Sequence, residues 1–210
     1  MSSKARYKRT REEILDAAWT LVSEKGAEVS ISEIAKAAGI SRQSVYLHFG
    51  TRGGLLVALV RRADDRFEIK ERLFACFDIV DPRERLQESI RVWIDFVIKI
   101  HPVAKDLVRL RETDQDAATA WEDRMSDLRD WLTILIQSLK SDNELSDDWS
   151  IKEATEYLWA SFSVQMWSLL TLDCQWSFER TEVTLVRTIT KTLLKDLATE
   201  MTRTSSPRRV

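Results

Sequence analysis

The sequence predicts an all-α fold of about nine helices, in which a three-helix N-terminal head precedes a C-terminal helical domain. Only five glycines and three prolines interrupt the 210 residues. Apolar residues recur at the three- and four-residue spacing of helices, and several segments open with Ser or Thr followed three residues later by Glu. The composition, 44% hydrophobic and 31% charged, is ordinary for a soluble protein of one or two domains.

The first helix is predicted to begin at Thr10, which forms a capping box with Glu13, and to end at Gly26. The preceding segment, MSSKARYKR, is basic and has no apolar periodicity. We therefore expect residues 1–9 to be mobile. Such an arm either follows the minor groove or phosphates of DNA or is a solvated tail.

Two short helices joined by a tight turn follow the first helix. Ser30 and Glu33 form a capping box, and Gly39 can take the left-handed conformation that closes a helix. Ser41 then caps a second short helix, from about Arg42 to Phe49. Two caps around a glycine turn are typical of a helix-turn-helix motif.

The second helix of this motif is the one expected to enter a major groove of DNA. Arginine suits guanine and glutamine suits adenine, in bidentate geometry. Its first turn offers four side chains for base edges or phosphates, and three more donors lie where a DNA backbone would run: Ser41, Arg42, Gln43 and Ser44, then Tyr46, His48 and Arg52.

The run I-A-x-x-A-G-I-S-x-x-S-V-Y-x-H-F, followed by a basic residue and two leucines, resembles the tetracycline-repressor (TetR) family of bacterial transcriptional regulators. The likeness covers residues 10–59, about a quarter of the chain. It implies that bases are read by Arg42, Gln43 and Ser44 and that phosphates are held by Ser30, Tyr46, His48 and Arg52. The family commonly has Lys-Glu where this chain has Arg52-Gly53, followed by Gly54. Each glycine weakens a helix by about 1 kcal/mol relative to alanine, which predicts a compliant joint before the next helix.

The distribution of charge agrees with a DNA-binding head. The net charge is −2, but residues 1–52 carry nine Lys and Arg against six Asp and Glu, whereas residues 53–210 carry 23 against 28. A basic head on an acidic body is expected of a protein whose head alone binds DNA. We predict a DNA-binding domain over residues 1–52, a ligand-binding and dimerisation domain over 53–204, and a disordered tail over 205–210.

The helices of the body are predicted from apolar periodicity, caps and prolines. A long fourth helix follows Thr51 and stops before Pro82, and His101-Pro102 should break or kink the chain. The remaining helices are expected near residues 82–100, 103–111, 117–140, 151–172 and 178–201. The last two carry more apolar residues than one core-facing stripe needs, so they require a partner subunit or a ligand. The resemblance implies a homodimer through these helices, numbered eight and nine.

A cavity for a small molecule is predicted from aromatic residues in the body. Seven of the eight tryptophans lie beyond the helix-turn-helix. Aromatic residues at helical spacing usually form core. Even so, residues on different helices could line an apolar cavity, with His101 as a polar contact: Trp93, Phe96, Trp131, Phe162, Met166 and Trp167. The resemblance implies an effector that releases the protein from DNA, and this lining favours an apolar or aromatic compound.

Other classes of function lack a signal. The two histidines and the missing nucleophile, zinc and phosphate-binding motifs assemble no catalytic set, so neither an enzyme nor a cofactor is expected. Cys76 and Cys174 suggest neither a disulfide nor a metal site. No segment is apolar enough for a membrane span or a secretion signal, which favours the cytoplasm.

The sequence therefore predicts a ligand-responsive repressor that binds a palindromic operator in double-stranded DNA as a homodimer. Two alternatives stay open. One is a DNA-binding factor that needs no small ligand and acts through a protein partner. The other is an activator, because the position of the operator decides between repression and activation.

Overall fold

The computed structural model describes residues 3–25 and 29–196. Apart from one isolated β-bridge, every regular element in these residues is helical, which confirms the all-α prediction. The helices are α1 (Ser3–Lys25), α2 (Ile31–Ala37), α3 (Arg42–Phe49), α4 (Arg52–Arg66), α5 (Ile69–Ala75), α6 (Pro82–Leu110), α7 (Gln115–Ser141), α8 (Ile151–Ser161), α9 (Val164–Ser168) and α10 (Phe178–Leu193). A 3₁₀ turn (Cys76–Asp78) follows α5, and a π-helical turn (Leu169–Asp173) follows α9.

Helix α1 begins seven residues before the predicted capping residue, Thr10. The expectation of a mobile arm is therefore wrong from Ser3 onward, while residues 1–2 lie outside the described part. The extension is helical because it has a surface to pack on, since the ring of Tyr7 lies 4.1 Å from that of His48 between centroids. The predicted terminator Gly26 also lies outside the described residues.

Helix α4 is shorter than predicted. It ends at Arg66, and Glu68 adopts a positive φ of 49° in the turn that leads to α5. By contrast, α6 runs without interruption through Pro102, so of the two outcomes predicted at His101-Pro102, a break or a kink, the break is wrong. A proline inside a helix removes one backbone hydrogen bond. Burial of Ile100, Val103 and Leu107 on both sides of it offsets that loss and keeps the helix continuous.

The predicted eighth helix, residues 151–172, is wrong as a single helix. It divides at Ser163, whose hydroxyl accepts a hydrogen bond from the amide of Met166 at 3.1 Å and so starts α9. The π-helical turn closes when the amide of Cys174 donates to the carbonyl of Leu169 at 2.8 Å. Helix α10 ends at Leu193, and the rest of the predicted ninth helix beyond 196 is outside the described residues.

The described residues form two compact units. One contains the chain up to Ile69 together with Phe96–Met125. In it, a bidentate ion pair joins Arg124 of α7 to Asp64 of α4, with 2.6 Å between Nη2 and Oδ1 and side chains only 15% and 12% exposed. A second ion pair joins Arg62 of α4 to Asp16 of α1 at 2.6 Å. Helix α4 is thus tied to two other helices of its unit.

The other unit contains Lys70–Asp95 and the chain from Ser126 onward. Its core is built from leucines and isoleucines of α6, α7, α8 and α10: Leu86, Ile90, Leu132, Leu135, Ile136, Leu139, Leu158, Ile189 and Leu193. The end of α10 is fastened to the α7–α8 loop by the bridge between Leu145 and Leu194. Amides of Ser146 and Lys195 donate hydrogen bonds of 2.8 and 3.0 Å on either side of that bridge.

Candidate nucleic-acid interface

The frame of the helix-turn-helix begins with the capping box of α2. The hydroxyl of Ser30 accepts from the amide of Glu33 at 3.2 Å, and the Glu33 carboxylate accepts from the Ser30 amide at 2.9 Å. The hydrogen bonds from the backbone and side chain of Ser30, helped by Lys25, lower the pKa of Glu33. The hydroxyl of Ser30 is therefore held in place at the start of α2.

Gly39 makes the turn between α2 and α3. Its φ is 67°, in the left-handed region that residues with a Cβ rarely adopt. The turn is closed by the amide of Ile40, which donates to the carbonyl of Ala35 at 3.0 Å. A Cβ at Gly39 would have no atom within 4 Å. Glycine is needed here for its backbone conformation alone.

Helix α3 presents the predicted base-reading side chains together. Ser41 caps it by accepting from the amide of Ser44 at 3.1 Å, and Val45 is buried beneath it. Arg42 and Gln43 are exposed, and no hydrogen bond or ion pair to their side chains occurs among the residues that the structure describes. A capped, anchored first turn with uncommitted donors is the arrangement that base recognition in a major groove requires.

The exposed side of α3 continues into Tyr46 and Leu47. Tyr46 is 43% exposed, and Leu47 is 75% exposed. Leu47 is not among the DNA-contacting residues predicted from the sequence. Its position four residues after Gln43 was the available signal, because residues i and i+4 share one face of a helix. An exposed apolar side chain on this face suits the methyl group of thymine.

His48 and Arg52, both predicted to hold phosphates, contact protein groups. His48 packs on Tyr7, and its buried Nδ1 atom has no hydrogen-bond partner within the described chain. Burial, helped by the charge of Arg11, lowers the pKa of His48. Arg52 donates from Nη1 to the carbonyl of Val29 at 2.9 Å, and its Nη2 lies 4.0 Å from a carboxylate oxygen of Asp106. Both side chains are thus engaged in fixing the head.

The connection from α3 to α4 is tightly folded. Gly50, with φ 70° and ψ −66°, forms a γ-turn in which the amide of Thr51 donates to the carbonyl of Phe49 at 2.8 Å. The hydroxyl of Thr51 then caps α4 by accepting from the amide of Gly54 at 2.9 Å. A Cβ at Gly54 would lie 2.2 Å from the Phe49 carbonyl oxygen. Two successive turns of the backbone are therefore stacked closely here.

Gly53 also lies in a close contact. A Cβ there would lie 2.8 Å from a carboxylate oxygen of Asp114 and 2.9 Å from the Cβ of Ala117, at the start of α7. The expectation that Gly53 and Gly54 make a compliant joint is wrong. They allow α4 to begin in a crowded position that alanine could not share without displacement of its neighbours.

The predicted effector-binding residues fall into two groups. Trp93, Trp131, Phe162, Met166 and Trp167 belong to the second unit. There the rings of Trp93 and Phe162 are stacked at 5.5 Å, and the indole nitrogen of Trp93 donates to the Phe162 carbonyl at 2.8 Å. Trp131 packs against Phe77, and its indole nitrogen is buried with no partner in the described chain.

The other two predicted effector residues, Phe96 and His101, belong to the first unit. Phe96 is fully buried and meets Phe67 edge-to-face at 6.4 Å. His101 is half-buried, and burial, together with the charge of Lys105, lowers its pKa. Phe96 therefore serves as core in its own unit.

The described residues can also be compared with the requirements of metal sites, membrane-spanning helices and disulfides. The described residues contain no group of three or more His, Cys, Asp or Glu side chains that could hold a metal ion. None of their helices combines the length and hydropathy needed to cross a membrane. Both cysteines are free thiols, and burial raises the pKa of Cys76.

Comparison with known proteins identifies relatives of the chain. Residues 14–59 match the family model described as bacterial regulatory proteins, tetR family. The HTH-type transcriptional repressor BepR of Brucella suis is 30% identical over 167 residues, which cover 75% of this chain and 79% of that protein. An uncharacterised HTH-type transcriptional regulator of Mycobacterium tuberculosis is 38% identical over 96 residues, covering 45% of this chain and 47%, about half, of that protein.

The fold is also found among solved structures. A putative transcriptional regulator from Saccharomonospora viridis, in complex with choline, superposes with a TM-score of 0.75 at 19% identity. The alignment covers 90% of this chain and all of the other. The likeness extends over both the helix-turn-helix and the helices that follow it.

Proposed function

Because this chain belongs to the tetR family of bacterial regulatory proteins, and so is a DNA-binding transcriptional regulator and not an enzyme, we propose that it is a homodimeric, ligand-responsive repressor acting in the cytoplasm. The observation that carries the proposal is the exposed first turn of α3. Its donors, Arg42 and Gln43, are uncommitted, while the caps and the buried Val45 fix the backbone that carries them.

In the proposed complex, α3 reads one half of a palindromic operator. Arg42 recognises guanine, Gln43 recognises adenine and Leu47 contacts a thymine methyl group. Ser44 reads a base edge beside Gln43, and phosphates are held by Ser30 and Tyr46. His48 and Arg52 act by positioning α3 and the start of α4, because they are engaged with Tyr7 and Val29.

The experiment starts from DNA duplexes that the purified full chain selects from a random-sequence pool. Arg42→Ala or Gln43→Ala should relax the preference at particular positions, each at a cost of about 1–3 kcal/mol. Tyr46→Phe should lower the affinity for all duplexes alike. Lys152→Ala, which removes an exposed charge of α8, is the control and should change neither property. Unchanged sequence preference in both α3 variants would contradict the assignment of α3 as the reader.

The proposed homodimer is supported by exposed apolar side chains in the second unit. Four of them are between 55% and 57% exposed, in the π-helical turn and on α10: Leu169, Leu172, Phe178 and Val183. Apolar exposure of this kind favours association with another surface. A two-fold dimer would place two α3 helices about 34–36 Å apart, or a multiple of that distance, to match a palindrome.

The dimer is tested by light scattering at micromolar concentration. We expect a dimeric mass for the wild-type chain and a monomeric mass for Val183→Asp, with loss of palindrome binding. Ile189 is unsuitable for this test because it is buried in the core, where a charge would unfold the unit. A monomeric wild-type protein would refute the dimer.

The proposed effector is a small apolar or aromatic compound bound by the second unit. Support comes from its buried aromatic residues and from the unpartnered indole nitrogen of Trp131, which could donate to a ligand. The similar fold from S. viridis holds choline, a small organic molecule. Release from DNA requires that the ligand prefer the non-binding state. A shift from 99% to 1% competent protein takes about 5.5 kcal/mol of preference.

Tryptophan fluorescence provides the test. Titration with hydrophobic compounds should give saturable quenching, and the compound found should lower affinity for the selected duplex. Trp131→Phe keeps an aromatic side chain, smaller than the indole, but removes the N–H donor, so it should weaken binding of that compound. Saturable binding that leaves DNA affinity unchanged would favour regulation without a small effector.

A further inference from the structure

The first turns of α1 form an exposed basic surface beside the recognition helix. Residues 3–9 carry four basic side chains and no acidic one: Lys4, Arg6, Lys8 and Arg9. Arg9 is paired with Glu13 at 2.9 Å. The other three form no hydrogen bond or ion pair with any residue that the structure describes. Their charges are therefore available to an external anion.

This basic extension is fixed to the end of α3. The ring of Tyr7 lies against the imidazole of His48, and the guanidinium of Arg11 lies 5.0 Å above the ring of Phe49. Tyr7 and Arg11 are four residues apart, so they share one face of α1. That face continues into the buried Ile14 and Ala18. The extension is thus an outward continuation of a helix whose other end is packed in the core.

We propose that the basic extension, residues 3–9, is a second DNA-binding element that holds backbone phosphates flanking the groove read by α3. The proposal rests on the proposed function. It is supported by the positive charge of the surface, which is complementary to phosphate, and by its continuity with α3 through His48. Lys4 and Lys8, one helical turn apart, are about 6 Å from each other along the axis.

The packing of the extension determines how it meets DNA. A flexible arm can enter a minor groove and read it. A helix held by Tyr7 against α3 approaches the duplex from outside as a rigid body, and ammonium groups are point charges that suit phosphates. The extension should therefore add affinity and salt dependence without adding sequence preference.

The first test uses two forms of the duplex selected by the wild-type protein. One ends at the edges of the selected site, and the other carries ten additional base pairs on each side. The triple variant Lys4→Gln, Arg6→Gln, Lys8→Gln should lower the slope of log K against log salt by about 0.9 for each phosphate that is no longer neutralised, on the long duplex only. Base preference should not change. Arg9→Gln, which removes a paired charge, is the matched control and should keep the wild-type slope.

The second test leaves all charges in place. Tyr7→Ala removes the ring that packs on His48 and should weaken binding to the long duplex, whereas Tyr7→Phe keeps that ring and should retain wild-type affinity. Equal affinity of the alanine variant would refute a docked element. If the wild-type protein selects a duplex but the triple variant keeps its slope, only this inference fails. If no duplex is selected at all, the proposed DNA binding fails.

Discussion

Glycines on the two sides of the recognition helix α3 supply two different physical properties: positive φ in the turns at Gly39 and Gly50, and space at Gly53 and Gly54 in the first turn of α4. At the turn before α3, Gly39 supplies a positive φ and its surroundings are empty. After α3, Gly53 and Gly54 lie in helical backbone, and what they supply is space. A sequence shows where a glycine stands but not which of these two properties is used. Gly39 and the helical pair Gly53 and Gly54 should consequently respond in different ways to the same substitution.

Gly54→Ala should have the largest effect. The added Cβ would lie 2.2 Å from a backbone oxygen, which cannot rotate away as a side chain would. We expect the free energy of unfolding to fall by about 3 kcal/mol, at the upper end of the usual range for overpacking. In an uncrowded helix the same substitution stabilises by about 0.5–1 kcal/mol. Chemical denaturation of the full chain distinguishes a crowded from an uncrowded Gly54 by the sign of the change in the free energy of unfolding. A gain in stability would show that the contact with the Phe49 carbonyl is loose.

Gly53→Ala should cost less, about 1–2 kcal/mol, because one of its two close neighbours is the end of a side chain. Asp114 also caps α7 by accepting from the amide of Ala117 at 3.0 Å. Asp114→Ser keeps a capping oxygen and is shorter. The double variant should therefore lose less stability than the sum of the single ones. If the losses of the two single variants add, the destabilisation by the new Cβ arises from its contact with Ala117 instead.

Gly39→Ala should cost about 1 kcal/mol, the strain of a left-handed residue that has a Cβ. Asn tolerates this conformation, so Gly39→Asn should recover most of the loss. The matched substitution Gly50→Asn should not be tolerated in the same way, because ψ at Gly50 is −66°, far from the left-handed helical region. Denaturation midpoints of the three variants measure this difference, and equal losses for the two asparagine variants would contradict it.

The smallest effect concerns the capping box that begins the helix before the Gly39 turn. The pKa of Glu33 is lowered in the folded protein, so its contribution to stability is present above the ordinary value of 4.5 and lost as pH falls through the lowered one. Between about pH 6 and pH 3, the free energy of unfolding should therefore fall less in Glu33→Gln than in the wild-type protein, as measured by denaturation. Glu153→Gln removes the equivalent carboxylate from α8 and should act similarly. An unaltered pH profile in both variants would show that these caps contribute nothing to acid sensitivity.

The features predicted correctly from the sequence are local. Ser30 with Glu33, Ser41 and Thr51 all cap helices as predicted, because a cap and its partner lie within three residues of each other. The left-handed conformation at Gly39 is likewise a property of one residue in a short turn. The exposure of Arg42 and Gln43 follows from the same local geometry.

The features that were missed depend on contacts that sequence spacing does not show. The helical extension of α1 depends on Tyr7 meeting His48, 41 positions away. The continuity of α6 through Pro102 depends on burial on both sides of the proline. Among the candidate site residues, Arg52 matched its motif, yet its guanidinium donates to the Val29 carbonyl. Ser163 is different. Serine is a common helix cap, but this one lies within an apolar segment that was predicted as a single helix.

The bidentate pair between Asp64 and Arg124 has a consequence for how this protein can change over evolutionary time. Because both side chains are mostly buried, loss of one partner would leave the other charge uncompensated, at about 3–5 kcal/mol. Replacement of both by well-packed apolar residues can be neutral. Natural substitutions at these positions should therefore arise as coupled changes, and an alignment of relatives should show positions 64 and 124 covarying although they lie 60 residues apart.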